Sequence, residues 1–141
     1  MKKHFTILIF FLSLLTACTS EEQPKRPEEC LKNRPTSVAG LKVTGARSEK
    51  NVIHNMWPIV CKARELYQER LKVRPGLKGT LELRLSVEFN GEIGPYSIAR
   101  SSIEDEVLER QILSLIDFMD FDPYGSQNTE SDILFPIHLE P

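Results

Sequence analysis

Between Asn51 and Leu71 the apolar residues Val52, Ile53, Met56, Ile59, Val60, Ala63, Leu66, Tyr67 and Leu71 recur at intervals of three and four. That spacing puts one apolar stripe on a helix, with Arg64, Glu65, Gln68, Glu69 and Arg70 largely off it. Pro58 allows two readings. Either the helix begins near Trp57 with Asn55 as its cap, or an earlier turn is kinked there. The period then changes to two. Leu81, Leu83, Leu85, Val87 and Phe89 alternate with Glu82, Arg84, Ser86 and Glu88, the pattern of a half-buried strand. Asn90-Gly91 is a hairpin turn, since both residues tolerate positive φ. The return strand, "EIGPYSIARS", is broken by Gly94-Pro95. Ser102 reads as the cap of a second helix with acidic residues 104–106 at its positive end. Ile103, Val107, Leu108, Ile112, Leu115, Ile116 and Met119 form its buried face. Ile133, Phe135, Ile137 and Leu139 alternate in a third strand.

The order helix, strand, strand, helix, strand predicts an α+β two-layer domain over residues 51–141. Its three-stranded antiparallel sheet carries both helices on one face. Proline sets the strand order, because it has no donor for a ladder and is confined to edges and bulges. The strand at 80–90 has none, whereas Pro95 and Pro136 interrupt the other two, so 80–90 is placed centrally.

The first 17 residues have a different character. Lys2 and Lys3 precede an apolar run from Phe5 to Leu15, which ends at Leu15-Thr16-Ala17-Cys18. The run is too short for a spanning helix, and the three parts match a secretion signal. The last four residues resemble the lipobox of bacterial lipoproteins, in which cleavage leaves the cysteine first and lipid-bearing. Residues 1–17 are therefore read as a signal peptide, Cys18 as the lipidated first residue, and 18–50 as a mostly flexible tether. Residues 19–50 carry three prolines and few large apolar side chains. Only Val38–Val43 has the makings of a short strand or of a cover lying across the domain.

Three cysteines are present. With Cys18 acylated, Cys30 and Cys61 remain as an even pair in a disulfide-permissive compartment; a disulfide and two free thiols are the alternatives. Without Lys2 and Lys3, 16 basic side chains face 20 acidic ones. No basic patch favours nucleic acid. His54 and His138 lie in separate elements without a metal-ligand pattern, and no nucleophile–base or phosphate-loop motif is present. The sequence points to no catalytic residue, cofactor, metal or small-molecule substrate.

The stretch from Ala63 to Pro123 resembles the TonB C-terminal superfamily, and more closely the AgmX/PglI-type C-terminal domains linked to gliding motility. The residues carrying the likeness are Tyr67, Pro75-Gly76-Leu77-Lys78-Gly79, the strand Leu81 to Phe89, Gly91, Ser101-Ser102-Ile103, and Met119 to Pro123. The match covers residues 51–124. The resemblance implies a TonB-like protein-interaction domain. Leu66 and Gln111 stand where AgmX/PglI-type domains often have cysteines, and Met119 replaces a usual aromatic. An interhelical disulfide is therefore absent, and Cys61 is left to reach Cys30.

The expectation is a non-enzymatic, lipid-anchored envelope protein, with the outer membrane favoured because Thr19 follows the cysteine. The domain faces the periplasm and meets an envelope protein partner. The alternatives are a TonB-type energy transducer with an uncleaved anchor, and an enzyme subunit with an unrecognised active site. TonB domains resemble other sheet-edge binders in adding a partner strand. Two partner surfaces follow: the outer edge at Ser131, Asp132, Ile133 and Leu134, before Pro136, or the open face around Glu82, Arg84, Ser86 and Glu88. Replacing Cys18 by Ala is expected to leave a precursor or soluble protein. Fractionation with mass measurement checks this, and a membrane-bound product of unchanged processed mass would contradict it.

Overall fold

The computed structural model describes residues 27–141, so Cys18 and the apolar segment before it lie outside the described residues. In chain order the elements are α1 (Pro27–Lys32), β1 (Lys42–Gly45), α2 (Glu49–Leu71), β2 (Gly79–Glu88), β3 (Ile93–Ser101), α3 (Glu106–Ser114), a 3-10 turn (Leu115–Phe118) and β4 (Glu130–Leu139). The sheet is antiparallel and four-stranded in the order β1-β4-β2-β3. The expected three-stranded sheet is thus corrected by one strand, supplied from the stretch read as a tether. The central position of β2 holds: it pairs with β4 over its whole length, from Gly79 against Leu139 to Glu88 against Glu130.

The two alternating patterns meet on one face. Leu81, Leu83, Leu85 and Val87 from β2 and Ile133, Phe135, Ile137 and Leu139 from β4 are all buried in one core with the apolar stripe of α2 and with Leu108, Ile112 and Ile116. A one-residue slip of either strand would turn its four large side chains to the opposite face. At about 25 cal/mol per Å² of apolar surface, that burial dominates the fold.

The long helix does not begin near Trp57; it contains the turns before Pro58, as the second reading has it. Ser48 is the cap, its hydroxyl accepting from Asn51 N–H at 3.2 Å, and α2 runs unbroken through Pro58. Pro58 lies on the exposed side and costs the helix one backbone donor. The second helix starts later than predicted. Asp105, not Ser102, caps α3, accepting from Leu108 N–H at 2.9 Å. Ser102 instead accepts from Thr80 N–H at 2.9 Å, and Glu104 precedes the cap with φ of 56°. Tyr67 is buried, and its hydroxyl donates to the Leu77 carbonyl at 2.6 Å, which fixes the Pro-Gly turn against the core. Burial is the main reason its pKa is raised.

Cys30 of α1 is bonded to Cys61 of α2, with Cα atoms 5.8 Å apart. Trp57, 6% exposed, settles as a core residue, and its indole N–H donates to the Cys30 carbonyl at 2.7 Å. Among the described residues, the stretch before Asn51 is thus attached to the domain as early as α1. The bond spans 31 residues, and closing such a loop stabilises by roughly 3–4 kcal/mol in the chain-entropy model. Reduction is expected to lower the unfolding free energy by that amount in denaturant titrations. An unchanged midpoint would mean that the loop is already closed without the bond.

Candidate interaction surfaces

The backbone of β4 has two sides. One pairs with β2. The other, over Ser131–Leu134, pairs with β1 in the register Lys42–Leu134, Val43–Ile133, Thr44–Asp132 and Gly45–Ser131. The edge expected to receive a partner strand therefore receives one from its own chain. β1 ends there for the reason that picked out 131–134 in the sequence, since Pro136 has no N–H to extend the ladder. Beyond it the chain still covers β4. A Cβ on Gly40 would lie 3.5 Å from Pro136 Cγ, Leu41 is buried, and His138 lies between Thr80 Oγ1 at 2.9 Å and the Ala39 carbonyl at 3.3 Å.

β1 is fastened at its exit. Gly45 adopts φ of 114°, and a Cβ there would overlap the Glu130 carbonyl oxygen, so the backbones approach as closely as glycine permits. Two residues later Arg47 is 4% exposed. Its N–H donates to Ser131 Oγ at 3.0 Å. Its guanidinium donates to Asn51 Oδ1, to the Asp122 carbonyl and to the Glu88 carbonyl, each at 2.9 Å. The Phe121 ring lies 5.0 Å and the Tyr124 ring 5.8 Å from the guanidinium carbon, a favourable cation–π setting. Burial lowers the Arg47 pKa, with Asp122 and Tyr124 opposing. Within a tether of unremarkable composition, nothing marked Arg47 as buried.

The other edge of the sheet is β3, and no described strand lies beyond it. It is irregular. The register slips between Glu82 and Leu83, where Ala99 is the extra residue on β3, and again between Leu85 and Val87, where Gly94 and Pro95 together stand opposite Ser86. Bulges and proline blunt an edge against promiscuous pairing. Between them Tyr96, Ser97 and Ile98 keep regular register with Leu85, Arg84 and Leu83. The Tyr96 hydroxyl donates to the Asp117 carboxylate, tying this short stretch to the 3-10 turn. The next residue, Phe118, is 89% exposed, the most exposed large apolar side chain among the described residues.

On the open face the four predicted side chains are not equally available. Ser86 is buried and donates to the Glu130 carboxylate. Glu82 is paired across the strands with Arg100 at 3.3 Å. Arg84 and Glu88 are exposed. A further groove of about 520 Å³ runs beside the disulfide between α1 and α2, walled by Glu29, Trp57, Lys62, Arg64 and Leu66. Among the described residues no three or more His, Cys, Asp or Glu side chains are placed to hold a metal. No described helix is long and apolar enough to cross a membrane.

No family model matches the chain, and neither a curated protein nor a solved structure is detectably similar to it.

Asp105 is the buried charge beneath this architecture. Its carboxylate caps α3 and accepts from Arg70 and Arg74, each at 2.9 Å, joining both helices. Burial pushes its pKa up, but the Leu108 N–H and the two guanidinium groups outweigh that and hold it at about 2. Because the folded pKa lies below the ordinary value of 3.8, its stabilisation is complete above about pH 4 and is lost as pH falls through about 2. Asp105→Asn should be less stable than wild type at neutral pH, and the difference should shrink towards pH 2 in thermal unfolding. Arg47→Ala removes the donor to Asn51 Oδ1 and the Asp122 carbonyl and leaves the Glu88 carbonyl with Gly91 N–H alone, and is expected to cost roughly 3 kcal/mol in the same measurement. A loss under about 0.5 kcal/mol, the scale of a neutral surface change, would refute its clamping role.

Proposed function

We propose that this is a non-enzymatic, lipid-anchored protein of the bacterial cell envelope, whose domain binds a partner polypeptide by strand addition at β3. The observation that carries this reading is the pairing of a free, partly regular edge with an exposed aromatic: Tyr96–Ile98 beside Phe118. Backbone groups on such an edge supply affinity, and side chains next to it supply selectivity. Phe118 would lose most of its exposed apolar surface under a bound segment, which makes it the natural hot spot. The bulges at Gly94-Pro95 and Ala99 limit the added strand to a short one.

The likeness to TonB C-terminal domains supports the same class of function, as does the succession of α2, β2, β3, α3 and β4. The proposal differs in its edge. Residues 131–134 are already paired with β1, so the partner is assigned to the opposite side of the sheet. Lipidation at Cys18 would hold the domain at a membrane, facing the periplasm and with the outer membrane favoured.

A photoreactive residue placed in turn at Ser97, Thr44 and Arg84 in living cells tests this. Adducts are expected from Ser97 and not from Thr44, and Phe118→Ser should weaken them about tenfold, a hot-spot effect. Adducts from Arg84 that disappear on reversing Arg84 and Glu88 would move the site to the open face of the sheet. Adducts from Thr44 alone would place the partner at the β1 edge of the sheet, and strand addition at β3 would be wrong.

A further inference from the structure

The N-terminal segment is fastened to the domain well before β1. Cys30 is bonded to Cys61, a residue 4% exposed near the middle of α2. The Trp57 indole holds the Cys30 carbonyl. Twelve peptide steps separate Cys30 from Cys18. Whatever their conformation, they span at most about 40 Å. A domain of this size is about 35 Å across.

Little else binds α1. It has six residues, too few for a helix that is stable by itself. Glu28, Glu29, Leu31 and Lys32 are exposed, and Cys30 alone of these residues packs against the core. Without the bond, the segment is next held where Val38 packs on the core and the Ala39 carbonyl meets His138, 20 steps from Cys18 at Val38. The limit would then be about 70 Å.

Resting on the reading of Cys18 as the lipid anchor, we infer that the Cys30–Cys61 bond sets the reach of the domain. It shortens the longest possible tether from about 70 Å to about 40 Å and so holds β3 closer to the membrane that carries the lipid. A partner of β3 must come within that reach. The disulfide also makes insertions unequal in effect. Residues added before Cys30 lengthen the tether, whereas residues added between Cys30 and Lys42 fall inside the closed loop and do not.

The test uses two singular residues. Trp57 is the only tryptophan, and Cys18 is the only thiol left when Cys30 and Cys61 are bonded. The chain beginning at Cys18 is coupled through that thiol to maleimide-bearing lipid in phosphatidylcholine vesicles that also contain dansyl-headgroup lipid. Energy transfer from Trp57 to dansyl is then measured for three oxidised proteins. These are the unaltered chain, one with 18 Gly/Ser residues inserted between Gln23 and Pro24, and one with the same insert between Thr36 and Ser37. The upstream insert is expected to lower transfer at least twofold and the in-loop insert to leave it unchanged. Neither arm needs the bond broken, so a reduced protein that fails to fold cannot obscure the result. Equal loss from both inserts would overturn the inference, and so would no loss from either. Because the coupling is chemical, the outcome does not depend on natural lipidation. The mass of the native protein at Cys18 decides that separately, and an unlipidated Cys18 would remove the membrane reading while leaving the reach intact.

Discussion

The guanidinium of Arg47 joins four separate parts of the described chain. It ties the exit of β1 to the end of β2 through the Glu88 carbonyl, to the segment before β4 through Asp122, and to the first turn of α2 through Asn51. A buried cation is costly unless its donors are used, and here both terminal nitrogens donate while two aromatic rings lie close by. Only Nε lacks a partner. Because Ser48 caps α2 one residue later, the clamp also fixes where the long helix starts. The helix stripe, the pairing of β1 with β4 and the end of the central hairpin are therefore positioned from one point.

What could be read from the sequence was whatever periodicity encodes. The two alternating strands, the long stripe of α2 and the central place of β2 followed from burial of one face and from the positions of two prolines. What could not be read depended on contacts distant in sequence. Ser102 and Asp105 are both capable caps; Arg70 and Arg74, some 30 residues earlier, select Asp105. Residues 27–48 have the composition of a linker and too few apolar side chains to form a core. They are held instead by the disulfide that the cysteine count offered, and by a four-residue ladder and one arginine, neither of which leaves a periodic trace. A faint signal did exist in Leu41-Lys42-Val43-Thr44, which alternates, and in Ser48 placed before an acidic residue.

The candidate surfaces show the same division. Proline correctly marked 131–134 as the stretch of β4 able to accept another strand. The sequence could not say that the strand was already present in the same chain. On the open face, Arg84 and Glu88 are exposed as the alternation implies, but Ser86 and Glu82 are engaged with Glu130 and Arg100. Phe118 stands outside the apolar stripe of the second helix, and no pattern in the sequence singles it out. It is exposed because the helix tightens into a 3-10 turn after Ser114, which shifts the angular position of every residue beyond it.

The addition of β1 to β4 moves the edge of the sheet and does not remove it. β4 alone would present ten residues, Glu130–Leu139, as an outer ladder, whereas the outermost strand is now the four residues Lys42–Gly45, ending in a glycine at positive φ. A very short edge strand is a poor template for edge-to-edge pairing. A sheet with two long bare edges is bivalent, and copies of it can add one to the next into a fibre. Here one edge is short and the other is bulged, so both ends of the sheet work against such growth.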